Sequence, residues 1–172
     1  MSNDLTPHLV WIALGSNIEP EQNLPAAAAS LGLLGEVKKC SSVWQSKPVG
    51  DENQSDFCNA ALFMETELEL YELRHSLRMI EEQLGRVRDP DNKNGARTID
   101  LDIAMFDELV ISTSEMTIPD PEIESRPFLS IPLAELTPDQ RHPVSGITLQ
   151  EIAGKAEFEN LLRRRDDIEL LC

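Results

Sequence analysis

Gly85 to Met105 runs GRVRDPDNKNGARTIDLDIAM. From Thr98 it alternates with a period of two. Thr98, Asp100, Asp102 and Ala104 fall on one face and Ile99, Leu101, Ile103 and Met105 on the other, the pattern of a half-buried strand. Two carboxylates on one strand face stand roughly 6.5–7 Å apart at their Cα atoms, near enough to share a hard cation or clasp a pair. Upstream, Asp89 to Asn94 is dense in turn formers and predicts a mobile loop. Arg86, Arg88 and Arg97 bracket it. Cations beside a two-carboxylate clasp suggest a bound polyphosphate, so the stretch reads as a phosphoryl-type transfer site.

Working outward, Glu67 to Leu84 is the clearest helix. Leu70, Leu73, Leu77, Ile80 and Leu84 form one stripe, and Gly85 supplies the stop. Spacing residues by about 100° puts Glu81 and Arg74 on the stripe's border and Arg78 nearer solvent. A charged helix edge is commonly a rim of ion pairs, Arg78 with Glu81 for example. Here the helix runs straight into Arg86 and Arg88, which turns its last turn toward the site.

Leu9 to Leu14 is a short apolar run read as a central strand. Gly15-Ser16-Asn17 ends it in a tight turn that lets a backbone approach a ligand closely, and reads equally as an ordinary strand-to-helix turn. Leu24 to Leu34 predicts a helix capped by Asn23 and stopped by Gly35. No Walker or Rossmann glycine loop follows the first strand, which sets those classes aside. Val37 to Gln45 and Phe57 to Thr66 predict strands, with a loop at Ser46 to Asn53 between them. Asn59 is the odd residue in its apolar strand, a structural hydrogen-bonder or a ligand reader, with the structural role the commoner. After the Asp-x-Asp strand, Phe106 to Ile111 predicts a tight hairpin into one more short strand. Six prolines between Ile118 and Pro143 exclude long helix over most of that segment, leaving room for a turn at Leu133 to Leu136. Leu149 to Leu162 is a helix candidate, and Arg163-Arg164-Arg165 reads as part of a solvated tail.

The element order β, α, β, β, α, β is that of a ferredoxin-like α+β sandwich, with two helices on one face of an antiparallel sheet and the carboxylate face uncovered. At 172 residues the chain reads as one domain, with 144–172 appended as a helix and tail. A net charge of -16 argues against nucleic-acid and anionic-membrane partners, and makes the cations clustered between Arg74 and Arg97 informative. They predict a small anion. The three cysteines, Cys40, Cys58 and Cys172, show no paired spacing and point to a reducing compartment. With no membrane-length apolar run and no leader pattern, a cytoplasmic protein is expected.

These residues resemble a known family. Gly95-Ala96-Arg97-Thr98-Ile99-Asp100-Leu101-Asp102-Ile103 is similar to the signature of 6-hydroxymethyl-7,8-dihydropterin pyrophosphokinases, enzymes of the folate pathway. So are Ala13 to Asn17, Ser46 to Gly50, Asp56 to Ala61, Ile80-Glu81, Gly85 to Arg88, Arg126-Pro127-Phe128 and Pro132-Leu133, in the family's order from about Leu9 to Pro143. The resemblance implies transfer of the β,γ-diphosphoryl group of ATP to the pterin hydroxymethyl oxygen, with AMP released. It places two Mg²⁺ ions on Asp100 and Asp102 and makes Arg86 and Arg97 catalytic. It assigns ATP to Glu81, Arg86, Arg88, Arg97, Ile103, Thr117 and Arg126. It assigns the pterin to Gly15, Ser46, Val49, Phe57, Asn59 and Phe128, the two aromatics stacking on the ring. Loops Ser46 to Asp56 and Arg86 to Ala96 become lids, and a monomer is expected. The chain departs from the family's pattern at Asp120, where a histidine is common, and at Glu115, Asn94 and Ala104. Two other classes fit an Asp-x-Asp strand: a metal-dependent nucleotidyltransferase, and a binding module without turnover.

Overall fold

The computed structural model describes residues 6–172; the first five, part of the segment read for a leader, lie outside it. Strand β1 (His8–Ser16) sits inside an antiparallel sheet because both its faces are apolar: Val10, Ile12 and Leu14 on one, Trp11 and Ala13 on the other. It pairs with β4 (Phe57–Thr66) on one side and β5 (Asp100–Phe106) on the other. β2 (Glu36–Cys40) and β3 (Trp44–Ser46) share the far edge of β4. The expected single strand Val37 to Gln45 is therefore two. Ser41 interrupts it, its backbone amide donating to the Ala61 carbonyl and its hydroxyl accepting from the Ala61 amide at 2.8 Å.

Helix α1 (Pro20–Leu31) starts ahead of the predicted Leu24 and ends at Gly32. Pro20 takes the first helical position, where a missing amide proton costs nothing. Asn23 lies inside the helix, and its amide donates to the Ile18 carbonyl at 2.6 Å. Helix α2 (Leu70–Gln83) is the predicted one, started by a capping box between Glu69 and Glu72. Gly85 ends it with φ of 83°, a backbone that favours glycine. Both helices bury their apolar sides on the Val10, Ile12 and Leu14 face, together with Leu62, Ile99 and Leu101.

The opposite face is not left free. Helix α3 (Pro127–Leu136) crosses it and buries Leu133 and Leu136 against Trp11, Ala61 and Met105, and α4 (Leu149–Ala153) adds Ile152. The prolines do not prevent α3: Pro127 lies in its first turn, and Pro132 removes one amide donor from a segment whose burial outweighs that loss. Met105 joins this second core because β1 and β5 slip register between Trp11 and Ile12, so Ala104 and Met105 together oppose one position. That bulge overturns the simple alternation expected past Ile103.

Four further expectations fail. The strand after β5, β6 (Ile111–Ser112), pairs with β7 (Thr117–Ile118) in a separate small sheet and forms no hairpin with β5. The helix predicted to reach Leu162 stops at Ala153, followed by a 3-10 turn at Ala156–Phe158. The basic tail is docked: β8 (Arg163–Arg164) pairs with β3, and Ile168 and Leu170 are buried. This return also brings Cys172 to Cys40, and the two are disulfide-bonded with Cα atoms 5.9 Å apart, contrary to three unpaired thiols. Cys58 is free and buried. No helix among the described residues is long and apolar enough to cross a membrane.

Candidate active site

The sheet register builds the site. Asp100 on β5, Gly15 on β1, Asn59 on β4 and Trp44 on β3 are successive partners in one row. Glycine in that row leaves a gap between a carboxylate and an amide: a Cβ on Gly15 would stand 3.4 Å from Asn59 Oδ1. Asn59 is 8% exposed, and its Nδ2 donates to Ser46 Oγ at 2.8 Å. Its carbonyl oxygen thus faces the gap. Phe57 and Phe128 border this pocket of about 220 Å³, together with Ser46, Val49 and Gly15. Every residue the resemblance assigned to the pterin lies here.

A second pocket, of about 540 Å³, runs along the outer edge of β5 beneath α2 and the β6–β7 hairpin. Glu81, Arg88, Ile103 and Thr117 line it. The two pockets share Asp100, Asp102, Asp120 and Glu122. The carboxylate pair therefore stands where they meet. Arg97 and Arg126, both expected on the nucleotide side, line the smaller pocket and not the larger one, and Arg86 lines neither.

Asp100 is held at both oxygens. Arg86 donates to Oδ1 at 2.7 Å and Arg97 to Oδ2 at 3.0 Å. The buried Arg86 guanidinium also reaches the Ile99 carbonyl at 2.9 Å, and Arg97 lies 5.6 Å above the Phe57 ring. Glu81 is nearly inaccessible, not merely on the helix border. It pairs with Arg86 and Arg88 and accepts the Leu101 amide at 2.9 Å. Arg78 is exposed and is not its partner. Burial pushes the Glu81 carboxyl up, opposed by the Leu101 amide.

Asp102 differs from Asp100. No side chain or amide among the described residues hydrogen-bonds to it. Enclosure in the cleft, then the charges of Asp100 and Asp120, push its carboxyl up to about 8. More than a third of its surface nevertheless opens into the pocket, so a cation can reach it. Asp120 is likewise shifted upward by burial. A free carboxylate beside one with lone pairs to spare offers hard oxygen donors that suit Mg²⁺, which keeps sites for phosphate oxygens. Among the described residues no group of three or more His, Cys, Asp or Glu is placed to hold a metal ion.

Two residues outside the expected set join the two loops to this centre. Asn17, 7% exposed, uses its amide fully: Nδ2 donates to Gln54 Oε1 at 2.8 Å and to the Ser55 carbonyl at 3.0 Å, while Oδ1 accepts the Arg97 amide at 2.8 Å. Gln54 in turn donates to the Asn94 carbonyl at 2.5 Å, across to the other loop. Asn94 meets Gly50 there so closely that a Cβ would lie 2.9 Å from its amide nitrogen. In the sequence Asn17 is only the end of a small-residue turn; nothing local marks it as a junction.

Residues 11–138 match the family model described as 7,8-dihydro-6-hydroxymethylpterin-pyrophosphokinase. The chain belongs to that family. It is 37% identical over 148 residues to the 2-amino-4-hydroxy-6-hydroxymethyldihydropteridine pyrophosphokinase of Synechocystis, covering 84% of this chain and 74% of that protein. The Pseudomonas aeruginosa enzyme of the same name is 36% identical, with 90% and 95% covered. A Plasmodium falciparum HPPK-DHPS crystal structure matches the fold with a TM-score of 0.72 at 13% identity, over 95% of this chain. The chain spans 50% of that solved chain's length. As a member of the pyrophosphokinase family, the protein is an ATP-dependent diphosphotransferase.

Proposed function

We propose that this enzyme transfers the β,γ-diphosphoryl group of ATP to the hydroxymethyl oxygen of 6-hydroxymethyl-7,8-dihydropterin in a Mg²⁺-dependent reaction of folate biosynthesis. The observation that carries this reading is the meeting of two unlike pockets at Asp100 and Asp102. One is small, aromatic-walled and equipped with a single buried amide, suited to a flat heterocycle. The other is longer and edged by arginines. In the reaction the hydroxymethyl oxygen gives up its proton to solvent and bonds to the β-phosphorus, the bond from that phosphorus to the α,β-bridging oxygen breaks, and AMP carries that oxygen away.

Two Mg²⁺ ions held by Asp100 and Asp102 would neutralise the triphosphate and stabilise charge on the entering and leaving oxygens. The chain's own residues do the rest. Arg86 and Arg97 fix the two oxygens of Asp100, Glu81 holds Arg86 and Arg88 at the pocket's edge, and Asn59 orients the pterin between Phe57 and Phe128. The loops 46–56 and 86–96 close over the reacting groups and exclude water. The strand order β5-β1-β4 with β2 and β3 beyond supports a ferredoxin-like arrangement, elaborated on its second face. We further infer a monomer acting as a single domain.

Incubation with ATP, Mg²⁺ and the reduced hydroxymethylpterin tests the proposal. AMP should appear in proportion to pterin consumed. Pyrophosphate as product would favour a nucleotidyltransferase, and pterin binding without AMP would favour a binding module.

A further inference from the structure

The larger pocket has two chemically different ends. Asp100, Asp102 and Glu81 stand at one. At the other, Arg74 reaches from α2 across the mouth to Glu115, in the turn between β6 and β7. Arg74 lies seven residues before Glu81, so the pocket extends about 10 Å along the helix axis from the carboxylates. A triphosphate alone does not need that length; a nucleotide does.

The Arg74 guanidinium is held from one side. One terminal nitrogen donates to Glu115 Oε2 and the other to the Glu115 carbonyl oxygen, both at 3.2 Å. Two bonds to one residue fix the plane of the group and leave its face open. Beside it the pocket is lined by the apolar side chains of Leu77, Met116 and Ile103. Stability does not account for the pair. With side chains 24% and 57% exposed, an ion pair contributes little, and here it ties down a long side chain at the pocket mouth.

We propose that Arg74, oriented by Glu115, is the residue that positions the nucleoside of the diphosphoryl donor, its guanidinium plane covering the base while Met116 and Ile103 take the other side. Guanidinium planes stack on flat π-systems, and an ammonium lacks the plane to do so. The inference rests on the reading of the larger pocket as the ATP site. It assigns to one side chain the difference between binding ATP and binding a bare triphosphate.

The test compares Mg-ATP with Mg-tripolyphosphate, which carries the phosphates without a nucleoside, by calorimetric titration of wild type, Arg74→Ala, Arg74→Lys and Glu115→Gln. Arg74→Ala should weaken ATP about tenfold and leave tripolyphosphate within about twofold, the loss of one stacked cation. Arg74→Lys should recover little of the loss, and Glu115→Gln, which keeps the backbone acceptor, should lose part. Unchanged melting temperatures exclude a folding defect. ATP affinity within about twofold in Arg74→Ala would make the pair an ordinary surface contact and overturn the proposal, and equal losses for both ligands would make Arg74 a phosphate contact. A wild type that binds tripolyphosphate but shows no preference for ATP overturns this inference alone. One that binds neither overturns the function proposed above as well.

Discussion

Asn17→Ala removes a side chain that does three jobs with one amide. The acceptors Gln54 Oε1 and Ser55 O lie 2.8 and 3.0 Å from Nδ2, and the Arg97 amide donates to Oδ1 at 2.8 Å. The orientation of the amide is unambiguous, because the Arg97 N–H can only face an acceptor. Each bond contributes on the order of 1 kcal/mol net, and the group at Gln54 regains water when released, so the loss should be about 2–3 kcal/mol. For a chain of this size that lowers the melting temperature by roughly 5–10 °C. The functional effect should be larger than the stability effect implies. Asn17 anchors the backbone from which the Arg97 guanidinium reaches Asp100 and covers Phe57. Misplacing it should lower kcat/KM for both substrates by at least about tenfold. Asn17→Asp should be worse than Ala, since it sets an oxygen against two acceptors. Thermal melts and steady-state AMP release measure both effects. An Asn17→Ala protein with unchanged melting and full kcat/KM would show that this amide does not hold Arg97 in place.

Asp102→Asn should abolish most turnover with the fold intact, and it should change how stability depends on pH. A carboxyl raised to about 8 in the folded chain binds a proton that the unfolded chain, with its ordinary value near 3.8, has lost; metal-free protein should therefore lose stability as pH rises between those values. In Asp102→Asn that decline should flatten, and melts across this range without metal would show it. Asp120→His removes a negative charge at the junction of the two pockets and should tighten ATP several-fold, most at low salt; equal affinity at every ionic strength would place Asp120 outside the phosphate field. Proteolysis between Arg88 and Arg97 should slow with an ATP analogue and Mg²⁺ and slow further with pterin, and equal cleavage in all states would remove that loop from closure. The Cys40–Cys172 bond closes a loop of 132 residues in sequence separation, and reduction or Cys172→Ser should lower the melting temperature, with about 5 kcal/mol as the ceiling from chain entropy.

Elements whose signal lies within one segment are determined by local physics. The β4 boundaries, Phe57 to Thr66, follow from an apolar run bounded by turn residues, and the α2 stripe from a 3.6-residue repeat ended by glycine. The placing of Asp100 and Asp102 on one strand face follows from a two-residue period, which no tertiary contact needed to reveal. The helix α3 was hidden because its prolines argue against helix one residue at a time, whereas its stability comes from burial against Trp11 and α4, partners distant in sequence. Met105 changed sides through a slip in register with β1, a property of the pair rather than of either strand. The arginine tail looked solvated until β3 offered it an edge to pair with, and only that return set Cys172 beside Cys40. The same division holds in the site. Charge and alternation named the carboxylates and arginines, because those signals repeat along the chain. The amide junction at Asn17 and the Arg74–Glu115 contact exist only across gaps of 80 and 41 residues, where folding alone decides which groups meet.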